Sequence, residues 1–260
     1  MLSVFRPLLP VAAMAALSFG FVIQAANAIP ISITNAGFED VSGQSTFNEF
    51  TFGTPTGWNL HDPNGIIPDT DVFTGTLLPN GTDFFNSVAP EGDRVALLFN
   101  RGRRDEGEYG YVQTLGDTLQ ANTRYTLSVA VGNIASGNAE SGEFFDLSGF
   151  PGYRVDLLAG GDVIAQDLNS LVIAEGEFLT SEIIFETGAA NAELGQALGI
   201  RLVNLNVTPG GLGSIPDLEV DFDDVNLDAT ALQVSEPGGL ALFGLGLIAL
   251  ARRVRQRKTS

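Results

Sequence analysis

The stretch Thr126-Leu127-Ser128-Val129-Ala130-Val131 places a branched apolar residue at every second position. Successive side chains of a β-strand point to opposite faces, so this period of two predicts a strand with one buried face. Similar runs of alternating or apolar residues lie at 95–99, 153–157, 178–185, 198–203 and 220–227. No sustained helical period separates them, and several short strands of this kind predict an all-β fold, a β-sandwich.

The turns between these runs are also visible in the sequence. The chain of 260 residues contains 31 Gly and 12 Pro, which favour many turns and short strands over long helices. Ala159-Gly160-Gly161-Asp162 predicts a hairpin turn between two strands. We see no internal repeat and no linker, so we expect one domain over residues 29–233.

The charge is unevenly distributed along the chain. Seven basic residues stand against 31 acids between residues 29 and 237, about −24, although the whole chain carries −18. Such a domain repels the phosphates of nucleic acids and anionic lipid headgroups, so we expect no nucleic-acid partner. Its carboxylates suit an exported protein or one that holds cations.

The N-terminus predicts a secretory signal peptide with its signal helix over residues 1–28. Arg6 precedes an apolar run over residues 8–23, and a small-x-small cleavage pattern ends at Ala28. Cleavage there would start the mature chain at Ile29. The alternative is an uncleaved anchor helix, which the small-residue exit disfavours.

The C-terminal segment 234–260 combines an acid-proline pair, an uncharged apolar stretch over 238–251 and an Arg/Lys cluster over 252–258. The apolar stretch is shorter than the ~20 residues that span a bilayer comfortably. Basic residues that follow a span stay on the cytoplasmic side. The pattern predicts a short hydrophobic transmembrane helix in the inner membrane, with the acidic domain outside.

This segment resembles the PEP-CTERM sorting signal on exported proteins of Gram-negative bacteria that produce exopolysaccharide. Ser235 stands in place of the first Pro of the Pro-Glu-Pro triplet, and Glu236 and Pro237 remain. The resemblance implies processing near the triplet by a membrane protease, exosortase, followed by release or attachment at the cell surface or in the extracellular matrix. The alternative is a permanent single-pass tail anchor.

Four landmarks of the domain occur in an informative order: Ile33–Glu39, Pro55–Trp58, Gln113–Leu127 and Val220–Leu227. This order resembles the galactose-binding-like jelly rolls, which include many carbohydrate-binding modules. The resemblance implies a two-sheet jelly-roll β-sandwich whose first and last strands lie near each other.

The same resemblance implies a structural Ca²⁺ where the opening and closing segments meet. The matching positions are Glu39 and Asp223, with Asp224 as the alternate ligand. Calcium takes six to eight oxygen ligands, so carboxylates from both ends of the domain suit it. The alternative is that these aspartates, with Asp221, form a solvated strand edge and turn.

Aromatic and basic side chains are the candidates for contact with a sugar ligand. Trp58 offers a face on which a sugar ring could stack, or it packs in the core, and the sequence leaves both open. Tyr109 and Tyr111 are comparable candidates. Arg101, in a basic patch just before them, suits sugar hydroxyls or acidic glycans, unless the patch is a solvated loop.

The sequence contains no recognisable catalytic motif. It has no Cys, a single His at position 61, and neither a Gly-x-Ser-x-Gly elbow nor a phosphate-binding loop. We therefore expect a non-catalytic protein that binds extracellular polysaccharide or serves as a structural matrix component. The alternative is a secreted hydrolase that acts on the polysaccharide.

Overall fold

The computed structural model describes residues 27–67, 70–210 and 216–233. These ranges contain fifteen β-strands and no helix. The strands are β1 (Ile29–Pro30), β2 (Ser45–Phe47), β3 (Phe50–Phe52), β4 (Asn59–His61), β5 (Val72–Leu77), β6 (Val95–Asn100), β7 (Tyr109–Thr118), β8 (Thr123–Asn133), β9 (Gly137–Asn138), β10 (Phe144–Phe145), β11 (Tyr153–Ala159), β12 (Asp162–Leu168), β13 (Glu177–Glu186), β14 (Ala197–Asn204) and β15 (Leu218–Ala231).

The strands form two large antiparallel sheets and one short hairpin. Sheet A has the order β13-β8-β15-β6-β5-β3-β2, with β1 paired to the end of β15, and sheet B has the order β12-β11-β14-β7-β4. The hairpin is β9–β10. The predicted all-β sandwich is confirmed.

The main core lies between the two sheets. Leu127, Val129 and Val131 of β8 are fully buried in it, as the alternation along that strand predicts. Leu198, Ile200 and Leu202 contribute from β14 in sheet B. One face of each sheet is thereby removed from water, which is the main stabilising term of a sandwich.

The predicted hairpin turn is confirmed at residues 159–162. β11 pairs with β12 up to Ala159 and Asp162, and the two residues between them have positive φ angles of 62° at Gly160 and 94° at Gly161. A two-residue hairpin turn of this kind needs positive φ at both positions, which glycine adopts without steric cost.

A second core covers the outer face of sheet A. Val95, Leu97 and Phe99 of β6 point into it, while Ala96 and Leu98 point into the main core. The segments 84–89 and 134–147 cover this outer face. Sheet A is therefore buried on both faces at β6, as the unbroken apolar run Val95–Phe99 allows.

The signal peptide and the C-terminal hydrophobic helix fall outside the described residues. Within those residues, no helix has the length and apolar character needed to cross a membrane.

Candidate active site

Three acidic side chains of β15 project from one face of sheet A. Glu219, Asp221 and Asp223 alternate with Val220 and Phe222, which point into the main core, so the acids point to the outer face. All three are buried, with exposed fractions of 3%, 0% and 0%. The alternative of a solvated strand edge is therefore wrong for Asp221 and Asp223.

An apolar cavity of about 190 Å³ lies over this outer face, and Glu219 is part of its wall. Its other polar wall residues are Arg101, Ser141 and Glu143. Seven of its fifteen wall residues are phenylalanines, which come from β2, β3, β5, β6, the 79–91 segment and β10: Phe47, Phe50, Phe52, Phe73, Phe84, Phe99 and Phe145.

The aromatic wall is held together by ring contacts. Phe73 stacks on Phe99 with centroids 5.5 Å apart, and Phe145 meets Phe99 edge-on at 6.0 Å. Phe50 contacts Phe84 at 6.0 Å and Phe145 at 6.3 Å. These separations are those of favourable aromatic pairs, so the wall is preformed rather than assembled by a ligand.

The environment of Glu219 favours its protonated form. Burial raises the pKa of Glu219 well above the usual range of a carboxyl group, and the nearby carboxyls of Asp221 and Asp217 raise it further. Burial likewise raises the pKa of Asp221. Glu219 Oε1 and both oxygens of Asp221 have no hydrogen-bond partner among the described residues.

Arg101, one of the predicted ligand-binding residues, does lie at this cavity. Its guanidinium carbon is 5.2 Å from the centroid of Phe145 and 5.7 Å from that of Phe99. Its Nε lies 3.2 Å from Asp217 Oδ2, and its Nη2 lies 3.5 Å from Glu143 Oε1. Arg101 thus links two acids and the aromatic wall at one end of the cavity.

The other three predicted ligand-binding residues lie in the main core. Trp58 stacks on Phe38 at 5.3 Å and donates its Nε1–H to the Asn35 carbonyl. Tyr111 donates its hydroxyl to the carbonyls of Gly75 and Leu97, and Tyr109 is equally buried. With exposed fractions of 5% or less, none of the three offers a free face to a sugar ring.

The predicted calcium ligands divide between two positions. Glu39 and Asp224 line an open hollow together with Glu91, Asn226 and the turn at 35–37. Asp223 is not part of that lining, and its Oδ2 accepts the backbone N–H of Glu91 at 2.8 Å. Within the described ranges, no three acidic or histidine side chains are arranged to hold a metal ion by themselves.

Asp223 is a further acid with a perturbed pKa. Burial raises the pKa of Asp223 to about 8, although the hydrogen bond from Glu91 N–H opposes the rise. Its Oδ1 has no hydrogen-bond partner among the described residues.

The cavity therefore combines a proton donor with a dry aromatic environment. A carboxylic acid that stays protonated in an apolar cavity can transfer its proton to a substrate from which water is excluded. Sequence reasoning did not identify Glu219 as a functional residue. Two features of the sequence pointed to a buried acid. Apolar residues alternate with acids from Leu218 to Asp223, and the unbroken apolar run of β6 indicates a strand that is buried on both faces.

Comparison with known proteins gives two family matches. The model of the HpiC1 cyclase family matches residues 29–228, and the PEP-CTERM protein-sorting motif matches residues 233–258. No match was found among the curated proteins.

Solved structures of cyclases are similar to this chain. A cyclase from Fischerella sp. TAU in complex with 4-(1H-indol-3-yl)butan-2-one shares 39% identity with a TM-score of 0.68, covering 80% of this chain and 100% of that chain. The same figures apply to a Stig cyclase from that organism in complex with (3Z)-3-(1-methyl-2-pyrrolidinylidene)-3H-indole. An apo cyclase from Fischerella sp. shares 37% identity, with a TM-score of 0.68 and coverage of 80% and 98%.

These matches correct one expectation and support another. The expectation of a non-catalytic protein is wrong, because the domain matches a cyclase family over residues 29–228 and a solved cyclase over its whole length. The PEP-CTERM resemblance is confirmed at residues 233–258, which implies export, a membrane-associated sorting step and processing by an exosortase. The cyclase family was not predicted because the sequence analysis found no catalytic motif in this domain.

Proposed function

Because the chain belongs to the HpiC1-like cyclase family, we propose that it is an exported cyclase in which Glu219 donates a proton to an apolar substrate that carries an indole. The observation that carries this proposal is the position of the Glu219 carboxyl group, buried in the wall of a cavity lined by phenylalanines.

The aromatic wall supports an aromatic substrate. The rings of Phe73, Phe99 and Phe145 are held against one another beside Glu219, and flat π-systems pack well on such surfaces. Solved cyclases from Fischerella sp. TAU were crystallised with two different indole compounds. Both observations favour an indole as the part of the substrate that lies against these rings.

The proposed reaction is an isomerisation that needs no further reactant. The O–H bond of Glu219 breaks as an electron pair of the substrate forms a new bond to the proton, which leaves a cationic substrate and a carboxylate. A second electron pair of the substrate then closes the ring. Loss of a proton from the cyclised cation to Glu219 restores the acid, so atoms and charge balance over the cycle.

We also propose that Ca²⁺ binds at the hollow between the opening and closing segments. Glu39, Glu91, Asp224 and Asn226 line this hollow and offer oxygens of the kind that calcium takes. Since no three acidic side chains of the described residues are arranged to hold an ion by themselves, calcium binding would draw these carboxylates together. Backbone carbonyls or waters would complete the ligand set. The ion would fix the 35–39 turn to β15, and its contribution would be structural.

For localisation, we propose that the tail holds the chain briefly in the inner membrane and that exosortase then releases it to the cell surface or the surrounding matrix. The matched motif at residues 233–258 supports this order of events. Intact-mass measurement on the protein from its native host tests it, since a retained Arg-rich tail would contradict cleavage.

The test of the cyclase function is turnover with matched variants of the full chain. We expect acyclic indoles with an alkene side chain to be converted into cyclic isomers of unchanged mass, detected by mass spectrometry and NMR. Glu219→Gln should lower turnover by about 100-fold or more, because general acid catalysis contributes a factor of this size. Glu182→Gln, an exposed acid on β13, is the control. Full activity of the Glu219 variant would contradict the proposal.

A further inference from the structure

We propose that Asp221 is a positioning residue for Glu219: its carboxylate accepts the proton of Glu219 in a hydrogen bond and so keeps Glu219 in the acid form at neutral pH. This inference rests on the proposed role of Glu219 and adds a second residue to it. Asp221 itself is not part of the cavity wall, so it acts through Glu219 and not on the substrate.

The two carboxyl groups are brought together by strand geometry. Glu219 and Asp221 are two residues apart on β15, so both point to the outer face of sheet A, with Cα atoms about 6.5–7 Å apart. Glu219 lies at the cavity and Asp221 lies next to it, beneath the second core. Side chains two residues apart on one face of a strand are neighbours, and after burial the carboxyl of Asp221 is the largest cause that raises the pKa of Glu219.

Asp221 is sealed from water by an apolar cover. It is paired with Leu97 of β6 and with Gly132 of β8. A Cβ atom on Gly132 would lie 2.6 Å from the ring of Phe178 and 3.1 Å from Asp221 Cβ, so the missing side chain leaves room for the ring beside the acid. Phe178 stacks in turn on Phe85 at 4.2 Å.

The buried carboxyl oxygens without a hydrogen-bond donor indicate that this pair holds a proton. Neither oxygen of Asp221 has a donor among the described residues, and Glu219 Oε1 also lacks one. Two ionised carboxylates in this position would be uncompensated buried charges, which strongly destabilise a folded protein. Burial raises the pKa of both carboxyl groups, and one proton held between them supplies the missing donor.

The charged groups around this pair include two arginines that bind a different acid. Asp217 also faces Glu219, but its two oxygens are bound by Arg101 at 3.2 Å and Arg104 at 3.0 Å. Titratable and charged groups face the pair from β15, from the end of β6, from the β9–β10 hairpin and from sheet B. They are Asp217, Asp223, Arg101, Arg104, Glu143, Tyr109 and Tyr111. Both tyrosines are neutral at physiological pH, since burial raises the pKa of each.

The test is the pH profile of kcat for Asp221→Asn in the full chain. The amide removes the like charge and donates to Glu219, so it stabilises the Glu219 carboxylate. The pH at which kcat falls should move down by about one unit or more, with activity retained near pH 5 and lost near pH 8. Binding of 4-(1H-indol-3-yl)butan-2-one at pH 5, measured by calorimetry, should stay within about twofold of the parent, since Asp221 does not line the cavity.

Further variants keep the two proposals distinguishable. Asp221→Leu also removes the charge but cannot donate a hydrogen bond, so it should shift the pH profile of kcat in the same direction by a smaller amount. Melting curves check that each variant is folded. An unchanged pH profile in a folded Asp221→Asn protein, with Glu219→Gln inactive, would overturn the role of Asp221 alone. Activity of Glu219→Gln at the parent level would overturn the proposed function itself.

Discussion

Glu219 and Phe99 are paired directly across strands β15 and β6, so the acid of the cavity lies beside an aromatic ring. Phe99 is also the ring on which Phe73 stacks and which Phe145 meets edge-on. The buried acid and the aromatic wall of the cavity therefore meet at one cross-strand pair. A change at Phe99 should affect substrate binding without removing the acid.

Phe99→Leu should weaken binding of 4-(1H-indol-3-yl)butan-2-one by about 2- to 10-fold. Leucine keeps the residue apolar but loses the ring–ring contacts, which contribute about 0.5–1.5 kcal/mol each. Calorimetric titration measures the change. Phe144→Leu is the matched control, because Phe144 is adjacent to Phe145 but is largely exposed and outside the cavity wall. Equal losses in both variants would argue against the cavity as the binding site.

Asp223→Asn should stabilise the protein at neutral pH. The folded state raises the pKa of Asp223 to about 8 from its ordinary value of 3.8, so folding favours its protonated form. Stability contributed by this group is therefore full below pH 4 and is lost as the pH rises from about 4 to 8. The asparagine variant lacks this titration and can still accept the Glu91 N–H.

Urea unfolding across this pH range, in EDTA, checks the prediction. The variant should match the parent near pH 4 and exceed it near pH 8. Asp162→Asn, at the exposed β11–β12 turn, is the control and should change little. A constant difference between Asp223→Asn and the parent at every pH would contradict the shifted pKa.

EDTA should lower the melting temperature of the full chain, and added Ca²⁺ should restore it. A ligand that binds only the folded state stabilises it by mass action. Glu39→Gln and Asp224→Asn should each remove most of the calcium response, because each replaces a carboxylate at the hollow. Asp162→Asn serves again as the control. An identical melt with and without EDTA would count against the site.

The sandwich could be predicted from the sequence because its strands bury one face each. β8 and β14 place apolar residues at every second position, and the turn at Gly160-Gly161 has the chemistry that a two-residue hairpin needs. The outer cover of sheet A was not predicted, because it comes from residues 84–89 and 134–147, whose strands β9 and β10 have two residues each. Such segments carry no periodic pattern.

The acid could not be identified because alternation along a strand does not say what lies over its second face. From Leu218 to Asp223 the sequence alternates apolar and acidic residues, which is typical of a strand with one face in water. Tertiary contacts from residues 134–147 bury that face instead. Trp58 shows the opposite case. Its position in a turn left a ligand contact open, but its ring is buried and stacks on Phe38.

Tyr111→Phe should destabilise the fold by about 1–3 kcal/mol and leave the cavity unchanged. Its hydroxyl donates to the carbonyls of Gly75 and Leu97 in sheet A, and the variant leaves these buried acceptors without that donor. Chemical denaturation gives the stability, and calorimetry with 4-(1H-indol-3-yl)butan-2-one gives the binding. Weaker binding with unchanged stability would instead support a direct ligand contact.

Truncation after residue 233 should leave turnover unchanged. Glu219 lies at the start of β15, whereas the sorting tail follows its other end at Ala231, roughly 40 Å away along the strand. The strand end near the tail is paired with β1 at Ile29 and Pro30, where the predicted signal cleavage also falls. The last described residues of β15 are thus remote from the cavity, so removing the tail should alter location and not chemistry. Comparison of kcat/KM for the full and truncated chains tests this. If kcat/KM falls by more than about tenfold in a truncated chain with an unchanged melting temperature, the tail contributes to the site.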